Sequence, residues 1–383
     1  MLKSLARQEK RPNNLSHKPD YFLAGTVVFM LAIGILILSS VSAAISYERF
    51  GNTYYYLKHQ LLFALLPGIA LGLVAYLIDL HFLKKWSLLL FLGNLVLMAM
   101  VFLPGIGVKL GGAHRWLNLG FTSFQPSEFL KLSFIVYLAS LLGNWQEGAS
   151  RRNAGKSVKE FLLPFLIVFF VVAAFLCLQK DVSTIIIIFL IAATMFFSSS
   201  TPIWHTLVLA LIAGLGLVLL VKFEPYRLAR VLVLFNNSAN SMAEGYQLNQ
   251  ALISIGSGGI SGIGLGMSRQ RFGFLPEAMS DAIFPILAEE TGFIGSIILI
   301  FLFLAFLVRG FRIIIKASNG FLQLVAIGVT VWIVSQAFIN IAAMLGILPI
   351  AGIPLPFISY GGSALVNELI GIGLLLNISK QTI

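Results

Sequence analysis

Four stretches of this sequence hold residues whose types and spacing can do chemistry. The sharpest is Ser268-Arg269-Gln270-Arg271, followed by Leu275-Pro276-Glu277-Ala278-Met279-Ser280-Asp281-Ala282. Asp281 stands where an apolar helix is about to begin, and the helix dipole there favours a charged carboxylate. Beside arginines, such a carboxylate can take a proton from a hydroxyl while the cations hold a pyrophosphate. The same aspartate can equally be an N-cap with no chemistry, a common role for the residue. Glu289 and Glu290 follow inside the apolar run, and at least one of them must face a polar interior.

Upstream, Arg115-Trp116 lies in the glycine-flanked stretch Gly111 to Gly120, and Gln125-Pro126-Ser127-Glu128-Phe129-Leu130-Lys131 follows. Arg115 beside an aromatic suits a phosphate at headgroup level, although tryptophan at a membrane interface is ordinary. Pro126 and Ser127 mark a helix start, so Glu128 and Lys131, three apart, share a helix face. A lone charge at the bilayer centre costs roughly 2.5–3.5 kcal/mol. The pair is therefore either an ion pair that fixes helix orientation or the polar wall of a substrate cavity.

The third stretch, Gly256 to Gly266, has six glycines in eleven residues. Its backbone N–H groups can cradle phosphate. It lacks the Gly-Lys-Ser/Thr ending of a nucleotide loop and follows no strand, which argues against nucleotide binding. The fourth runs from Leu348 to Ser363 and contains Pro349, Pro354, Pro356 and Ser359. Three prolines and several glycines preclude a regular helix there. Such backbone at membrane depth must be shielded by protein or face water, so it reads as a re-entrant loop lining a cavity.

The elements that position these stretches follow from composition. Of 383 residues, 58% are hydrophobic and 11% charged, against about 25% charged in a soluble domain. Lipid must be the solvent for most of the chain. Charge-poor runs near 22–44, 60–78, 86–104, 127–143, 161–179, 182–200, 203–221, 284–308, 321–343 and 361–378 are long enough to span. The expected fold is all-α: a polytopic membrane protein of about ten transmembrane helices, with a large extracytoplasmic loop, residues 222–283, between spans 7 and 8. Residues 1–20 form a basic cytoplasmic segment, 21–378 the integral membrane domain, and 379–383 a short cytoplasmic tail. Val41-Ser42-Ala43 has the look of a signal cleavage site, but the polar leader and the apolar run are both too long for a signal peptide.

With both termini cytoplasmic, 15 of the 26 basic residues fall inside, a weak positive-inside bias. The exceptions gather in outer segments, where an external anionic ligand would be held. The net charge of +11 suits anionic lipid or a phosphorylated lipid substrate. No basic stretch outside the spans is interleaved with stacking aromatics, which excludes nucleic acid as a partner. The single cysteine, Cys177, can form no internal disulfide and is a small apolar residue in its run.

Taken together, Arg227-Leu228-Ala229-Arg230, Gly245-Tyr246-Gln247, Ile255-Gly256-Ser257-Gly258-Gly259, Ser268-Arg269-Gln270, Leu275-Pro276-Glu277-Ala278 and Pro354-Leu355-Pro356-Phe357-Ile358-Ser359-Tyr360-Gly361-Gly362-Ser363 resemble the SEDS family (shape, elongation, division and sporulation proteins) from about residue 20 to the end. Ser-Arg-Gln and Pro-Glu-Ala are closer to its division branch than to its elongation branch. The resemblance implies a peptidoglycan glycosyltransferase of the bacterial inner membrane, joining lipid II into glycan strands during septal wall synthesis and releasing undecaprenyl pyrophosphate. It implies partnership with a class B penicillin-binding protein and other division proteins. It puts Asp281 on the family's essential aspartate, and Glu128 and Lys131 on its membrane-edge pair. The substrate-binding set expected around Asp281 is Arg115, Trp116, Gln125, Ser127, Glu128, Lys131, Asp181, Arg227, Arg269, Arg271, Glu277 and Ser359. A divalent cation, Mg²⁺ or Mn²⁺, is compatible with the site, although no ligand cluster demands one.

The chain departs from the family in two places. Lys180-Asp181-Val182-Ser183-Thr184 lacks the usual proline and glycine around Asp181. Met279, Ser280 and Ala282 replace the usual His-Thr before, and Phe after, the essential aspartate. A flippase for lipid II and a non-enzymatic division scaffold are the rival readings.

Overall fold

The computed structural model describes residues 18–110, 113–118, 120, 123–151, 158–199, 214, 216 and 243–381. Unpaired backbone groups are costly in lipid, so charge-poor runs close their hydrogen bonds within helices. In chain order these are α1 (Tyr21–Phe50), α2 (Tyr55–Leu77), α3 (Leu80–Met100), α4 (Pro126–Arg151), α5 (Val158–Leu178), α6 (Val182–Ser198), α7 (Ala243–Ser257), α8 (Ile283–Lys316), α9 (Gly320–Met344) and α10 (Gly362–Ser379). All but α7 coincide with expected spans. Seven are long and apolar enough to cross a membrane, and α5 and α6 hold shorter apolar stretches. The expected span 203–221 and the leader up to residue 17 lie outside the described residues.

Polar caps set several helix starts. Asp20 accepts from Leu23 N at 2.9 Å, and Asn319 from Leu322 N at 2.9 Å, each satisfying an orphan first-turn donor. The start of α1 meets the end of α10, where Asp20 N donates to Ser379 Oγ at 3.1 Å. Arg309 of α8 approaches Asp20 at 3.7 Å. Asp20, Arg309 and Ser379 therefore lie together at one end of the helix bundle.

Helices α4, α9 and α10 form the centre, with 72%, 72% and 83% of their spans buried, against 28% for α2, α3 and α8. The outer helices show their remaining faces to lipid. Helix α2 reaches α10 through Gly72 and Gly373, where a side chain at Gly373 would collide with Gly72 O. Small residues of this kind let membrane helices approach closely. A π-helical segment, Leu61–Leu65, interrupts α2 next to Gln60. Gln60 Nε2 donates to Ser359 O at 3.4 Å, and Gln60 Oε1 accepts from Gly361 N at 3.3 Å.

Between α3 and α4 the chain forms a three-stranded antiparallel sheet, β1 (Gly107–Leu110), β2 (Ala113–Asn118) and β3 (Ser123–Phe124). Val108 opposes Trp116, and Leu117 opposes Phe124. Strands this short give too little alternation to register in sequence.

The glycine-rich stretch has a structural task. Helix α8 is broken at Gly292 (φ 71°, ψ −165°), which frees backbone groups inside the membrane protein. Residues 259–264 satisfy them. Ile263 N and Gly264 N donate to Glu289 O and Glu290 O at 3.0 and 3.1 Å, and Phe293 N donates to Gly259 O at 2.9 Å. This needs backbone-to-backbone approach: a side chain at Gly262 would strike Glu290 O, and one at Gly292 would strike Gly262 N. These glycines close a broken helix.

Candidate active site

Five elements build one cavity of about 320 Å³. The sheet brings Arg115 and Trp116; the start of α4 brings Gln125 and Glu128. The α5–α6 turn brings Asp181 and Thr184. The segment before α8 brings Glu277, Ser280 and Asp281, and the non-helical loop 350–361 closes the remaining side with Gly352, Pro354 and Tyr360. Residues more than 160 apart in sequence thus share one polar wall.

Each wall residue is held by local chemistry. Lys180 adopts a left-handed backbone (φ 57°), supplying the turn that the missing glycine would make. Asp181 then caps α6, accepting from Thr184 N at 3.2 Å and Thr184 Oγ1 at 2.9 Å. Ser127 Oγ donates to the same carboxylate at 3.2 Å. Ser127 is fully buried and serves the cavity through Asp181. Arg115 Nε donates to Gln179 O at 3.1 Å, and its Nη2 to Lys180 O at 2.5 Å. The sheet is thereby tied to the end of α5.

Below the wall, Glu128 Oε2 and Lys131 Nζ form a buried ion pair at 2.6 Å. Lys131 also donates to Gln336 Oε1 at 2.9 Å and lies 5.1 Å from the centroid of the Trp332 ring. Gln336 accepts from Trp332 Nε1 at 2.9 Å and donates to Pro354 O at 3.0 Å. The pair therefore does both things the sequence left open. It orients α4 against α9, and Glu128 presents part of itself to the cavity.

The Asp281 segment is pinned by its backbone. Asn340 Nδ2 donates to both Asp281 O and Ile353 O, at 2.7 and 2.8 Å. Tyr360 N donates to Met279 O at 2.8 Å, and Ser359 Oγ donates to Ser280 O. Ser359 is thus a bolt between loop and Asp281 segment, and it is absent from the cavity wall. Glu368 of α10 accepts from Phe357 N at 2.9 Å and fixes the other end of that loop. Ser280 Oγ lies 2.7 Å from Glu277 Oε2 and 3.4 Å from Asp281 Oδ1, bridging the two carboxylates. Tyr360 shares a 3.0 Å hydrogen bond with His59 Nδ1. Burial, with Tyr56 and Tyr55 nearby, pushes its phenol up to about 12.

Other expected residues sit elsewhere. Arg271 Nη1 reaches Ser40 O of α1 at 3.5 Å. Arg269 is exposed, and its backbone N donates to Glu289 Oε1 at 3.3 Å. Glu289 also accepts from Ser254 and Ser268, and Glu290 accepts from Ser40 Oγ at 2.5 Å. Both glutamates therefore meet polar partners in the interior. Arg227 lies outside the described residues. Among the described residues, Arg115 is the one cation lining the cavity, against four carboxylates, and no three His, Cys, Asp or Glu side chains gather as metal ligands. Gln336, Asn340 and Glu368 were not singled out from sequence. The available signal was polar residues inside apolar runs, with 336 and 340 one turn apart on one face.

Beside the cavity, an apolar groove of about 690 Å³ runs between α2, α3, α4 and α10. The two are adjacent along both helices they share. On α4, Glu128 faces the cavity and Phe129 the groove; on α10, Ala364 faces the cavity and Asn367 the groove.

Comparison with known proteins gives one consistent result. A family model for FtsW, RodA and SpoVE, described as "Cell cycle protein", matches residues 21–383. A protein of Geobacter sp. (strain M18) named "Probable peptidoglycan glycosyltransferase FtsW" is 35% identical over 94% of this chain and 97% of its own length. "Stage V sporulation protein E" of Bacillus subtilis is 36% identical over 95% and 98%. Among solved structures, a chain reported under "Structural coordination of polymerization and crosslinking by a peptidoglycan synthase complex" superposes with a TM-score of 0.75 at 25% identity, covering 94% of this chain and 97% of that one. The crystal structure of Thermus thermophilus rod shape determining protein RodA gives 0.69 at 26% identity, over 95% and 97%.

Proposed function

The chain belongs to the FtsW/RodA/SpoVE family of cell cycle proteins, and on that premise we propose that it is a peptidoglycan glycosyltransferase that polymerises lipid II for the septal wall. One observation carries the reading: the Asp281 carboxylate shares a polar cavity with Arg115, directly beside an apolar groove between helices. A polyprenyl pyrophosphate sugar needs both surfaces. The groove takes the lipid tail, and the cavity takes the diphosphate and the reacting sugars.

In this mechanism a sugar hydroxyl of one lipid II attacks the anomeric carbon of the growing chain, and undecaprenyl pyrophosphate leaves. Asp281 accepts the hydroxyl proton as general base, a contribution of about 10²–10⁴ in rate, or roughly 3–5 kcal/mol of barrier. Arg115 stabilises the departing pyrophosphate. Glu277 and Asp281, bridged by Ser280, are the two carboxylates fitted to hold a divalent cation together with substrate phosphates, which is how Mg²⁺ is usually bound. Such a cation would neutralise diphosphate charge on a wall where acids outnumber Arg115. Glu128, Asp181, Trp116 and Gln125 shape the sugar side of the cavity.

The protein spans the membrane many times. We place it in the bacterial cytoplasmic membrane with the face shared by Asp20, Arg309 and Ser379 toward the cytoplasm, a placement supported by the basic residues 309, 312, 316 and 380 near that face. A class B penicillin-binding protein is its proposed partner. The test is the Asp281→Asn variant, purified and supplied with labelled lipid II. The expected result is loss of polymer by about 10² or more. Wild-type polymerisation by a folded Asn variant would remove Asp281 from the chemistry.

A further inference from the structure

Six rings form a continuous cluster that starts at the cavity and ends outside it. Tyr360, on the cavity wall, meets Tyr56 edge-on at 5.5 Å and His59 at 6.1 Å. Tyr56 meets Phe50 and Tyr55, each at 5.6 Å, and Phe50 stacks on Tyr55 at 3.8 Å. His59 meets Phe63 at 5.0 Å. Away from the cavity the rings emerge: Phe50 is 48% exposed, Tyr55 41% and the neighbouring Tyr54 59%.

These exposed rings lie where α1 ends and α2 begins, at the edge of both spans. The 30 residues of α1 extend about 45 Å at 1.5 Å per residue, longer than a bilayer core of about 30 Å. Exposed Glu48, Arg49, Asn52 and Lys58 are interleaved with the rings. Arg49 Nη1 donates to Tyr56 Oη at 3.2 Å. The cluster therefore stands at headgroup level or in water, where a contiguous aromatic surface implies a partner. The cavity is at the small end of ligand pockets, which run from about 300 to 1,000 Å³. It has room for reacting ends, and sugars further along a chain must lie beyond it. A pyranose has an apolar C–H face that stacks on an aromatic ring and a polar edge that hydrogen-bonds to flanking groups, as Arg49, Asn52 and Lys58 allow.

We propose that Phe50, Tyr54, Tyr55 and Tyr56 form a platform that binds the amino-sugar polymer beside the cavity between successive additions. The proposal rests on the reading of the Asp281 cavity as the polymerising site. The platform governs how long a strand stays bound, and so how long it grows.

The experiment uses the full chain in lipid vesicles with labelled lipid II, and reads strand length on gels together with lipid II consumption. Phe50→Ala/Tyr55→Ala is compared with Phe50→Leu/Tyr55→Leu, which keeps an apolar surface and loses the flat rings. Both are expected to shorten strands at least about threefold, with consumption falling by less than strand length does. Tyr54→Leu, which removes an exposed ring, is expected to act in the same direction and stands in if a double variant fails to fold. Unchanged strand length in a folded variant overturns the proposal. So does full recovery by the leucine pair, which would mark the rings as a membrane-interface anchor only. The Asp281→Asn control separates the two readings: if it polymerises like wild type, the site assignment fails; if it is inactive and the ring variants make full-length strands, the platform alone fails.

Discussion

Replacing Lys131 by methionine isolates the most deeply buried ion pair in the protein's described core. The lysine side chain is 1% exposed and that of Glu128 6%. Methionine keeps most of the volume and removes the charge, leaving the buried Glu128 carboxylate without its ion-pair partner. Removing one partner of a buried pair costs about 3–5 kcal/mol, because the other charge stays unpaired. Gln336 adds little to this, since its Oε1 still accepts from Trp332 Nε1. Making both ends neutral, as in Glu128→Gln/Lys131→Met, removes the unpaired charge, and a buried pair replaced in full is often close to neutral in stability. The double variant should therefore recover at least about 2 kcal/mol of the loss. The measurement is thermal and denaturant unfolding in one detergent for all variants, with wild type alongside. Polymerisation should fail in the double variant, which removes the Glu128 carboxylate from the cavity wall, and fall in Lys131→Met, which unpairs it. The reasoning is refuted if Lys131→Met costs less than about 1 kcal/mol, or if the double variant is no more stable than the single one.

Two further outcomes follow from the pinning contacts. Glu368→Leu leaves the buried Phe357 N–H without its acceptor and should cost about 1–3 kcal/mol; Glu368→Gln keeps an acceptor oxygen and should lose less than half of that, with hydrogen exchange of the 353–361 peptides faster only in the leucine variant. Gly262→Ala sets a side chain against Glu290 O at φ +80° and should cost at least about 1–3 kcal/mol. By contrast, Gly256→Ala, within α7 and with open space around it, should be neutral or stabilising by up to about 1 kcal/mol; equal unfolding temperatures for the two alanine variants would refute the account of the closed α8 break.

Much of the architecture was legible because lipid makes hydropathy decisive. A charge-poor run of sufficient length has one way to satisfy its backbone, and nine of the expected spans coincide with described helices. The non-helical loop 350–361 was legible for the complementary reason: prolines at 349, 354 and 356 forbid a helix. Residue types also pointed to Asp281, Arg115 and Glu128, since charge inside or beside an apolar run needs a purpose, whereas Asp181 was marked only by the family resemblance. The sheet at 107–124 escaped because its strands are too short to show a period.

What only the tertiary structure decided was direction. Sequence puts Ser127, Lys131 and Ser359 near the site, yet packing turns Ser127 behind Asp181, Lys131 toward Gln336 and Ser359 onto Ser280. It carries Arg271 to α1 and sets the glycine-rich stretch against the break in α8. A helix buried on several sides can rotate about its axis without changing its hydropathy. The face that meets a cavity is fixed by contacts with residues 54 to 205 positions away, and local sequence holds no record of them.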